Sequence, residues 1–174
     1  HIGGDAVCWG EPSPGRPWRV AIADPRAPHD NGDFLATVEL RSVAAGIASS
    51  GHRSRGVRVA NRSFSHVLDP REGWPAEYAP AATVIAQDAA TADALATALS
   101  VLPIRKGLDL LEHMPGVEAL LVSDSGRTFA SPGWYRLLAA EDRHDPSWPA
   151  QFEFVVDYEI PQQEAVNYRR PYLA

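Results

Sequence analysis

The sequence has 174 residues, the length of one domain or of one domain with an appendage. Its hydrophobic share of 45% and charged share of 22% are typical of a soluble globule that buries a core. A net charge of −6 without a long basic run argues against a nucleic-acid partner. Cys8 is the one cysteine, so a disulfide within the chain is excluded.

The chain has no apolar run long enough to cross a bilayer, so we expect no transmembrane segment. Its first ten residues, HIGGDAVCWG, lack the features of a signal peptide and read like the middle of a strand-and-loop unit. We therefore expect that residues before His1 were removed or belong to another piece. The six histidines do not fall at the spacing of a zinc site.

The first half of the chain is predicted to consist of short strands. Alternating, β-forming residues predict a strand at Trp18–Ala23, and a Pro-, Asn- and Gly-containing loop follows it. Two further strands are expected near Ala36–Arg41 and Ala44–Ala48. The stretch GVRVANRSFSHVLD then predicts a β-hairpin with Asn61-Arg62 near its turn.

The second half of the chain is predicted to contain two helices as well as strands. After a strand at Thr83–Ala86 the apolar period changes from two to about 3.6, which predicts a helix from near Thr91 to before Pro103. A second helix is predicted at Arg105–His113, and EALLVSDSGRTFAS predicts a hairpin that turns at Asp124-Ser125-Gly126. GWYRLL is expected to form one helical turn. These elements predict an α+β fold, with packed helices on an antiparallel-rich mixed sheet.

The C-terminal part is predicted to be separate. Residues 1–138 would form one domain, and the charged, proline-bearing stretch 139–150 would be a linker. Residues 151–174 would begin a further β-domain, because QFEFVVDYEIP alternates as a strand does.

The stretch FSHVLDPREGWP, from Phe64 to Pro75, has two interpretations. Turn chemistry explains it as a strand at Ser63–Leu68 followed by a reversal, in which Asp69-Pro70 is extended and Gly73 takes a positive φ. The other interpretation is a catalytic pocket that uses His66, because imidazole accepts and donates protons near neutral pH.

Asp93 and Thr97 stand at positions i and i+4 of the predicted helix, so they share one helix face. A carboxylate and a hydroxyl together are hard oxygen ligands of the kind that suits Mg²⁺ and its bound phosphates. The alternative is structural. An aspartate in the first turn favourably meets the helix dipole, and a threonine hydroxyl bonds back to the helix.

Two small-residue motifs complete the candidates. Gly3-Gly4-Asp5 lets the backbone approach a ligand and adds a carboxylate, although such a sequence also forms ordinary turns. Ser49-Ser50-Gly51 offers hydroxyls and amides for an anion, or is simply the end of a strand. Nucleophile elbows and Walker-type or Rossmann-type glycine loops are absent.

In order, the runs GGD, PWRVAI, SSG, SHVLDPREGWP, TVIA and TADALATALSVL resemble the ApbE-type FAD:protein FMN transferases. Typical members read Gly-Gly-Asp, Ala-Thr-Ser-Gly, His-Ile-x-Asp-Pro-x-x-Gly and Ala-Asp-Ala-Leu-x-Thr-Ala. The likeness extends from Gly3 to about Ser131. Ser49 replaces the usual threonine, and Leu68 follows Val67 where isoleucines are common.

The resemblance implies an ApbE-like (T-fold-like) architecture and a defined chemistry. Such enzymes bind FAD with Mg²⁺, break its pyrophosphate and join FMN to a threonine or serine hydroxyl of a target protein, releasing AMP. Asp93 and Thr97 would hold the cation, and His66 would accept the proton of the hydroxyl or position the flavin. The residues expected to line the flavin or phosphate site are Gly3, Gly4, Asp5, Ser50, Gly51, His66, Val67 and Asp69.

The resemblance also leaves expectations about the rest of the protein. The amino-terminal part of the family is missing from the chain, and it would supply some of the flavin pocket and a carbonyl ligand to the metal. The family is usually exported, which implies a periplasmic or membrane-anchored location on the outer side. Two alternatives remain: an FAD pyrophosphatase that yields FMN and AMP, and a flavin-binding protein without catalysis. The C-terminal tail is similar to the start of a small β-domain of unassigned function. Its Arg169-Arg170, between two tyrosines, would contact a phosphate or flavin, or lie on a solvated edge.

Overall fold

A computed structural model describes residues 4–27, 34–41, 44–51, 56–60, 62–76, 81–143 and 152–153. The strands are β1 Ala6–Trp9, β2 Trp18–Ala23, β3 Phe34–Leu40, β4 Ala44–Ser50, β5 Val57–Val59, β6 Arg62–Phe64, β7 Leu68–Asp69, β8 Trp74–Pro75, β9 Ala81–Ala86, β10 Glu118–Val122, β11 Thr128–Ala130 and β12 Phe152–Glu153. The helices are α1 Ala89–Leu99, α2 Ile104–Leu111, α3 Trp134–Leu137 and α4 Ala140–Arg143.

The centre of the fold is a six-stranded sheet in the order β1-β4-β9-β10-β11-β12. Every neighbouring pair in it is antiparallel except β11 and β12, which are parallel. Three two-stranded sheets, β2-β3, β5-β6 and β7-β8, accompany it. The predicted α+β class with an antiparallel-rich mixed sheet is therefore confirmed.

The two faces of the main sheet are covered by different layers. On one face, α1 and α2 bury a cluster of mostly small residues that includes Ala92, Ala96 and Leu99. On the other face, the β2-β3 hairpin and the fully buried Trp134 of α3 pack against the sheet. Because alternate residues of a strand point to opposite faces, each central strand contributes to both cores.

Gly46 allows α1 to begin directly against β4. A Cβ atom at this position would lie 2.2 Å from the carbonyl carbon of Asp88 and 2.3 Å from the nitrogen of Ala89. Asp88 is the N-cap, and its carboxylate accepts hydrogen bonds from the Thr91 amide and hydroxyl, each at 2.8 Å. These bonds lower the pKa of Asp88. Helix α1 thus begins earlier than the predicted start near Thr91.

Most of the predicted strands are confirmed. The structure has a strand at the predicted Trp18–Ala23, and it extends the predicted strands near Ala36–Arg41, Ala44–Ala48 and Thr83–Ala86 by a few residues. The β5-β6 and β10-β11 hairpins also form as predicted.

The single strand predicted at Ser63–Leu68 is wrong. The β5-β6 ladder ends at Phe64, and the Ser65 hydroxyl then accepts a hydrogen bond from the Val67 amide at 3.0 Å. This local bond replaces the ladder, and a new strand starts at Leu68.

The first residues of the predicted linker 139–150 pack against the sheet domain. Ala139 is fully buried and its amide donates to the Thr37 carbonyl at 2.8 Å, while the Thr37 amide donates to the Asp142 carboxylate at 2.7 Å. The division into residues 1–138, 139–150 and 151–174 stays a prediction.

Arg169-Arg170 lies outside the described residues. In the described part of the chain, no helix is long and apolar enough to span a membrane.

Candidate functional site

His66 lies in a loop whose backbone is closely hydrogen-bonded. We define the His66 loop as Ser65–Ala76, which contains the β7-β8 hairpin. The Val67 carbonyl accepts from the Ala76 amide at 2.9 Å, which closes the loop at its base. Ser65 is buried, whereas His66 itself is exposed. The loop thus presents an imidazole to solvent from an anchored backbone, as acid-base chemistry on a bound ligand requires.

Asp69 organises the turn of this loop. Its backbone carbonyl accepts from the amides of Glu72 at 3.1 Å and Gly73 at 2.8 Å, and Gly73 has the positive φ of 63° that the reversal requires. Its carboxylate accepts from the Arg71 guanidinium at 2.8 and 2.6 Å and from the Arg71 amide at 2.9 Å. Hydrogen bonding by Arg71 lowers the pKa of Asp69, so this side chain is a carboxylate committed to the loop.

Asp93 and Thr97 lie on the solvent face of α1. Both are exposed, whereas Ala92 and Ala96 on the opposite side of the helix are fully buried. Because the helix begins at Ala89, Asp93 is in the second turn, which corrects the expectation that it lies in the first. Their spacing leaves the two oxygen donors on adjacent turns and open to a ligand. Within the described ranges, no group of three or more His, Cys, Asp and Glu residues could hold a metal.

Gly4 and Asp5 stand beside the end of β4. The register pairs Ala6 with Ile47, and a Cβ at Gly4 would lie 3.7 Å from the Ser49 carbonyl oxygen. Gly4 also has a φ of +118°, a conformation that other residues rarely adopt. The Gly3-Gly4-Asp5 motif is therefore adjacent to the Ser49-Ser50-Gly51 motif. Gly3 itself lies outside the described residues.

Strand β4 ends at Ser50, and Gly51 follows it directly at the same end of the main sheet. Ser50 is paired with Ala82, and a Cβ at Gly51 would lie 3.2 Å from Cβ of Ala81, a tighter contact than usual. Both residues are half-buried. The neighbouring Ser49 hydroxyl is engaged by the Thr83 hydroxyl at 2.9 Å.

Helix α1 returns to this same end of the sheet. It starts against Gly46 and packs back along β9, so its 11 residues span about 16 Å and the 6-residue strand about 20 Å. The helix therefore ends over the part of the sheet where β4 ends. Leu99 is accordingly in one core cluster with Ala48 and Ala82.

The His66 loop is attached at that end of α1. The Arg71 guanidinium donates to the carbonyl of Val101 at 3.4 Å, just beyond the C-cap of the helix. The motifs around Asp5, Gly51 and Thr97 are far apart in sequence and lie toward one end of the main sheet, and the contact of Arg71 with Val101 places the His66 loop next to the end of α1. Their side chains offer carboxylates, hydroxyls and an imidazole, which suit a phosphate-bearing ligand with a divalent cation.

Sequence reasoning missed three residues that build this arrangement. Gly46 has a signal, since an isolated glycine in a strand often marks a close backbone approach. Asp88, three residues before Thr91, has the spacing of an N-cap. Arg71 lies in the stretch from Phe64 to Pro75, and its contact with Val101 has no signal in the sequence because the two residues are 30 positions apart.

Comparisons with known proteins all find relatives in one family. The model of the ApbE family matches residues 1–121. The FAD:protein FMN transferase of Haemophilus influenzae is 31% identical over 140 residues, covering 79% of this chain and 40% of the relative. The FAD:protein FMN transferase of Rhodobacter capsulatus is 33% identical over 147 residues, covering 84% and 27%.

Solved structures give the same result. The ApbE protein of Thermotoga maritima aligns with a TM-score of 0.69 and 31% identity, covering 79% of this chain and 43% of that one. The apo form of the flavinyl transferase ApbE of Pseudomonas stutzeri aligns with a TM-score of 0.62 and 35% identity, covering 80% and 42%. The chain thus spans less than half the length of these relatives.

Proposed function

Because this chain belongs to the ApbE family, we propose that it forms part of a Mg²⁺-dependent FAD:protein FMN transferase. In the proposed reaction a threonine or serine hydroxyl oxygen of a target protein forms a bond to the phosphorus of the FMN half of FAD. The bridging P–O bond to AMP breaks, and its electron pair leaves with AMP. The hydroxyl proton passes to a base, so FMN becomes attached through a phosphodiester.

The observation that carries this proposal is the convergence of the four motifs at one end of the sheet. Gly4 lies beside the end of β4, and α1 returns to that end with Thr97 in its last turns. The hydrogen bond from Arg71 to Val101 attaches the His66 loop there. A ligand with a ring system at one end and a pyrophosphate in the middle would meet an imidazole, glycine-rich backbone and oxygen donors together.

The donor set of α1 fits Mg²⁺. Asp93 supplies a carboxylate and Thr97 a hydroxyl, and both are open to solvent on one helix face. Mg²⁺ prefers such oxygens, keeps several waters and completes its shell with substrate phosphates. When bound by these two residues, the cation would supply neutralisation of the charge that develops on the pyrophosphate.

His66 is proposed as the proton acceptor for the target hydroxyl. A hydroxyl is a weak nucleophile, and a positioned base contributes about 10²- to 10⁴-fold to such a reaction. The exposed imidazole is carried by a loop with a closed backbone, so it can meet a hydroxyl that arrives on another protein. The alternative role, positioning the flavin, predicts a loss of FAD affinity instead.

The other site residues are proposed to bind FAD. Gly3 and Gly4 would let the backbone approach the ligand, and Asp5 and Ser50 would contribute oxygen atoms. Gly51 would keep the end of β4 free of a side chain. Val67 would contact the flavin through its side chain, because its amide and carbonyl are both engaged within the loop.

The expected contact of Asp69 with FAD stays a prediction, and its bonds to Arg71 support a second role. Its carboxylate is bonded to Arg71, so its proposed role is to shape the turn that carries His66. Asp69 would therefore affect FAD binding through the loop.

The relatives are more than twice as long as the matched part, so other parts of the protein belong to the proposal. We propose that an amino-terminal part, outside the given sequence, completes the flavin pocket and adds a ligand to the metal. A periplasmic or membrane-anchored location on the outer side is proposed from the family resemblance.

A direct assay tests the proposal. The full-length protein, including the proposed amino-terminal part, is incubated with FAD, MgCl₂ and an acceptor protein of the Haemophilus influenzae relative, and flavin fluorescence bound covalently to the acceptor is measured together with released AMP. Equal amounts of labelled acceptor and AMP are expected. Free FMN with AMP would instead identify an FAD pyrophosphatase. FAD binding without either product would identify a flavin-binding protein.

A further inference from the structure

The chain contains the triplet Asp-Pro-Arg twice, and both copies form the same turn. In the His66 loop the Arg71 amide donates to Asp69 at 2.9 Å and the guanidinium donates at 2.8 and 2.6 Å. At the end of β2 the Arg26 amide donates to Asp24 at 2.9 Å and the guanidinium donates at 2.9 and 2.7 Å. Each arginine thus forms a fork on the carboxylate two residues before it, the strongest geometry for this pair.

The two forks differ in what else they contact. Arg71 also donates to the carbonyl of Val101, which follows the C-cap of α1, at 3.4 Å. Arg26 lies over the β10-β11 turn, where a Cβ at Gly126 would be 3.1 Å from its Nη1. The turn geometry alone therefore does not explain the contact that Arg71 makes with the helix.

This contact has a favourable electrostatic setting. Val101 lies one residue beyond the C-cap Ser100, next to the helix end that carries partial negative charge. The pKa of Arg71 is raised by its hydrogen bond to Asp69, so the guanidinium stays charged. A guanidinium held by one carboxylate still has a second N–H to donate, which a lysine ammonium on a flexible stem does not present in a fixed plane.

We propose that Arg71 is a positioning residue that couples the His66 loop to the end of the helix carrying Asp93 and Thr97. The Asp69–Arg71 fork makes the turn rigid, and the bond to Val101 sets the position of this rigid turn on α1. His66 is three residues before Asp69, so its imidazole is held relative to the proposed metal donors. This inference rests on the proposed transferase function, and it assigns a role to a side chain that touches neither substrate nor metal.

The experiment uses Arg71→Ala and Arg71→Lys, with Arg26→Ala as the matched control because it removes the same fork elsewhere. The turnover and the KM for FAD are measured in the assay with the Haemophilus influenzae acceptor protein. The imidazole signals of His66 are recorded by nuclear magnetic resonance and assigned with His66→Gln.

Arg71→Ala should lower kcat about tenfold to a hundredfold, since small misplacements of a reacting group have effects of this size. The KM for FAD should change less than about threefold, and the His66 signals should broaden or double. Arg71→Lys should restore only part of kcat, and Arg26→Ala should leave both readouts unchanged.

Two results would overturn the inference. One is equal behaviour of Arg71→Ala and Arg26→Ala in kcat and in the His66 signals. The other is a KM that rises as much as kcat falls, which would make Arg71 a direct ligand of FAD. If the full-length parent protein shows no transfer at all, the proposed function fails, and the His66 signals alone then decide whether Arg71 positions the loop.

Discussion

Replacing Gly46 by alanine should destabilise the protein through a backbone collision. The new Cβ would lie 2.2 to 2.4 Å from three backbone atoms of Asp88 and Ala89, at the start of α1. An ordinary contact begins near 3.4 Å, so the first turn of the helix must recede by about 1.2 Å. Backbone atoms cannot move aside as the tip of a side chain can, so the helix has to shift against the sheet.

The expected cost follows from the packing of α1. Ala92, Ala96 and Leu99 are fully buried between helix and sheet, so a shift of this size opens gaps along the layer. Overpacked cores lose about 1–3 kcal/mol, and a collision with backbone belongs at the upper end. We expect a loss of about 3 kcal/mol, equivalent to a fall in Tm of roughly 6–12 °C for a chain of this size.

Gly107→Ala is the matched control. Gly107 is in α2, and its Cβ would meet only Cδ2 of Leu99 at 2.7 Å, the movable end of a side chain. The gain in helix propensity, about 1 kcal/mol, should offset the adjustment of Leu99. Urea unfolding followed by circular dichroism measures both variants. The reasoning is refuted if Gly46→Ala unfolds at the same urea concentration as the parent, or if Gly107→Ala loses as much stability.

Three further predictions concern the site. Asp93→Ala should abolish turnover without a change in Tm, because Asp93 is exposed. Turnover retained with an unchanged magnesium dependence would contradict its role as a metal ligand, and Asp109→Ala, exposed on α2, is the control. His66→Ala should lower kcat about 10²-fold or more and weaken FAD binding less, as titration of flavin fluorescence would show; equal losses would indicate a purely positional role. The lowered pKa of Asp69 stabilises the fold above about pH 4, and this contribution is lost as the pH falls through the folded-state pKa. Asp69→Asn should therefore flatten the fall in Tm between pH 5 and pH 2.5, and an unchanged slope would show that the fork contributes no pH-dependent stability.

The local elements of this fold follow from local patterns. Alternation predicts β2 at its observed bounds, Trp18–Ala23, and the turn residues between β10 and β11 predict that hairpin. These patterns allow prediction because the formation of a strand or a turn depends mainly on neighbouring residues. The start of α1 was placed too late because the period of apolar residues carries more weight in a sequence than a single N-cap such as Asp88.

The site could be predicted in part. The types of residue at Asp93, Thr97 and His66 indicate a metal, a phosphate and proton transfer, and the order of the motifs indicates the family, which the comparisons confirm. Their grouping at one end of the sheet depends on the length of α1 relative to β9 and on the contact between Arg71 and Val101. These depend on packing between residues far apart in the chain.

The sequence by itself determined most of the elements, the family and the chemical types of the candidate site residues, because these are encoded in short stretches and in their order along the chain. Only the tertiary structure decided that α1 lies directly on β4, where Gly46 leaves no room for a side chain, and that Arg71 reaches the end of that helix. Such close approaches depend on distances between separate segments, and a distance becomes defined only when the segments pack together.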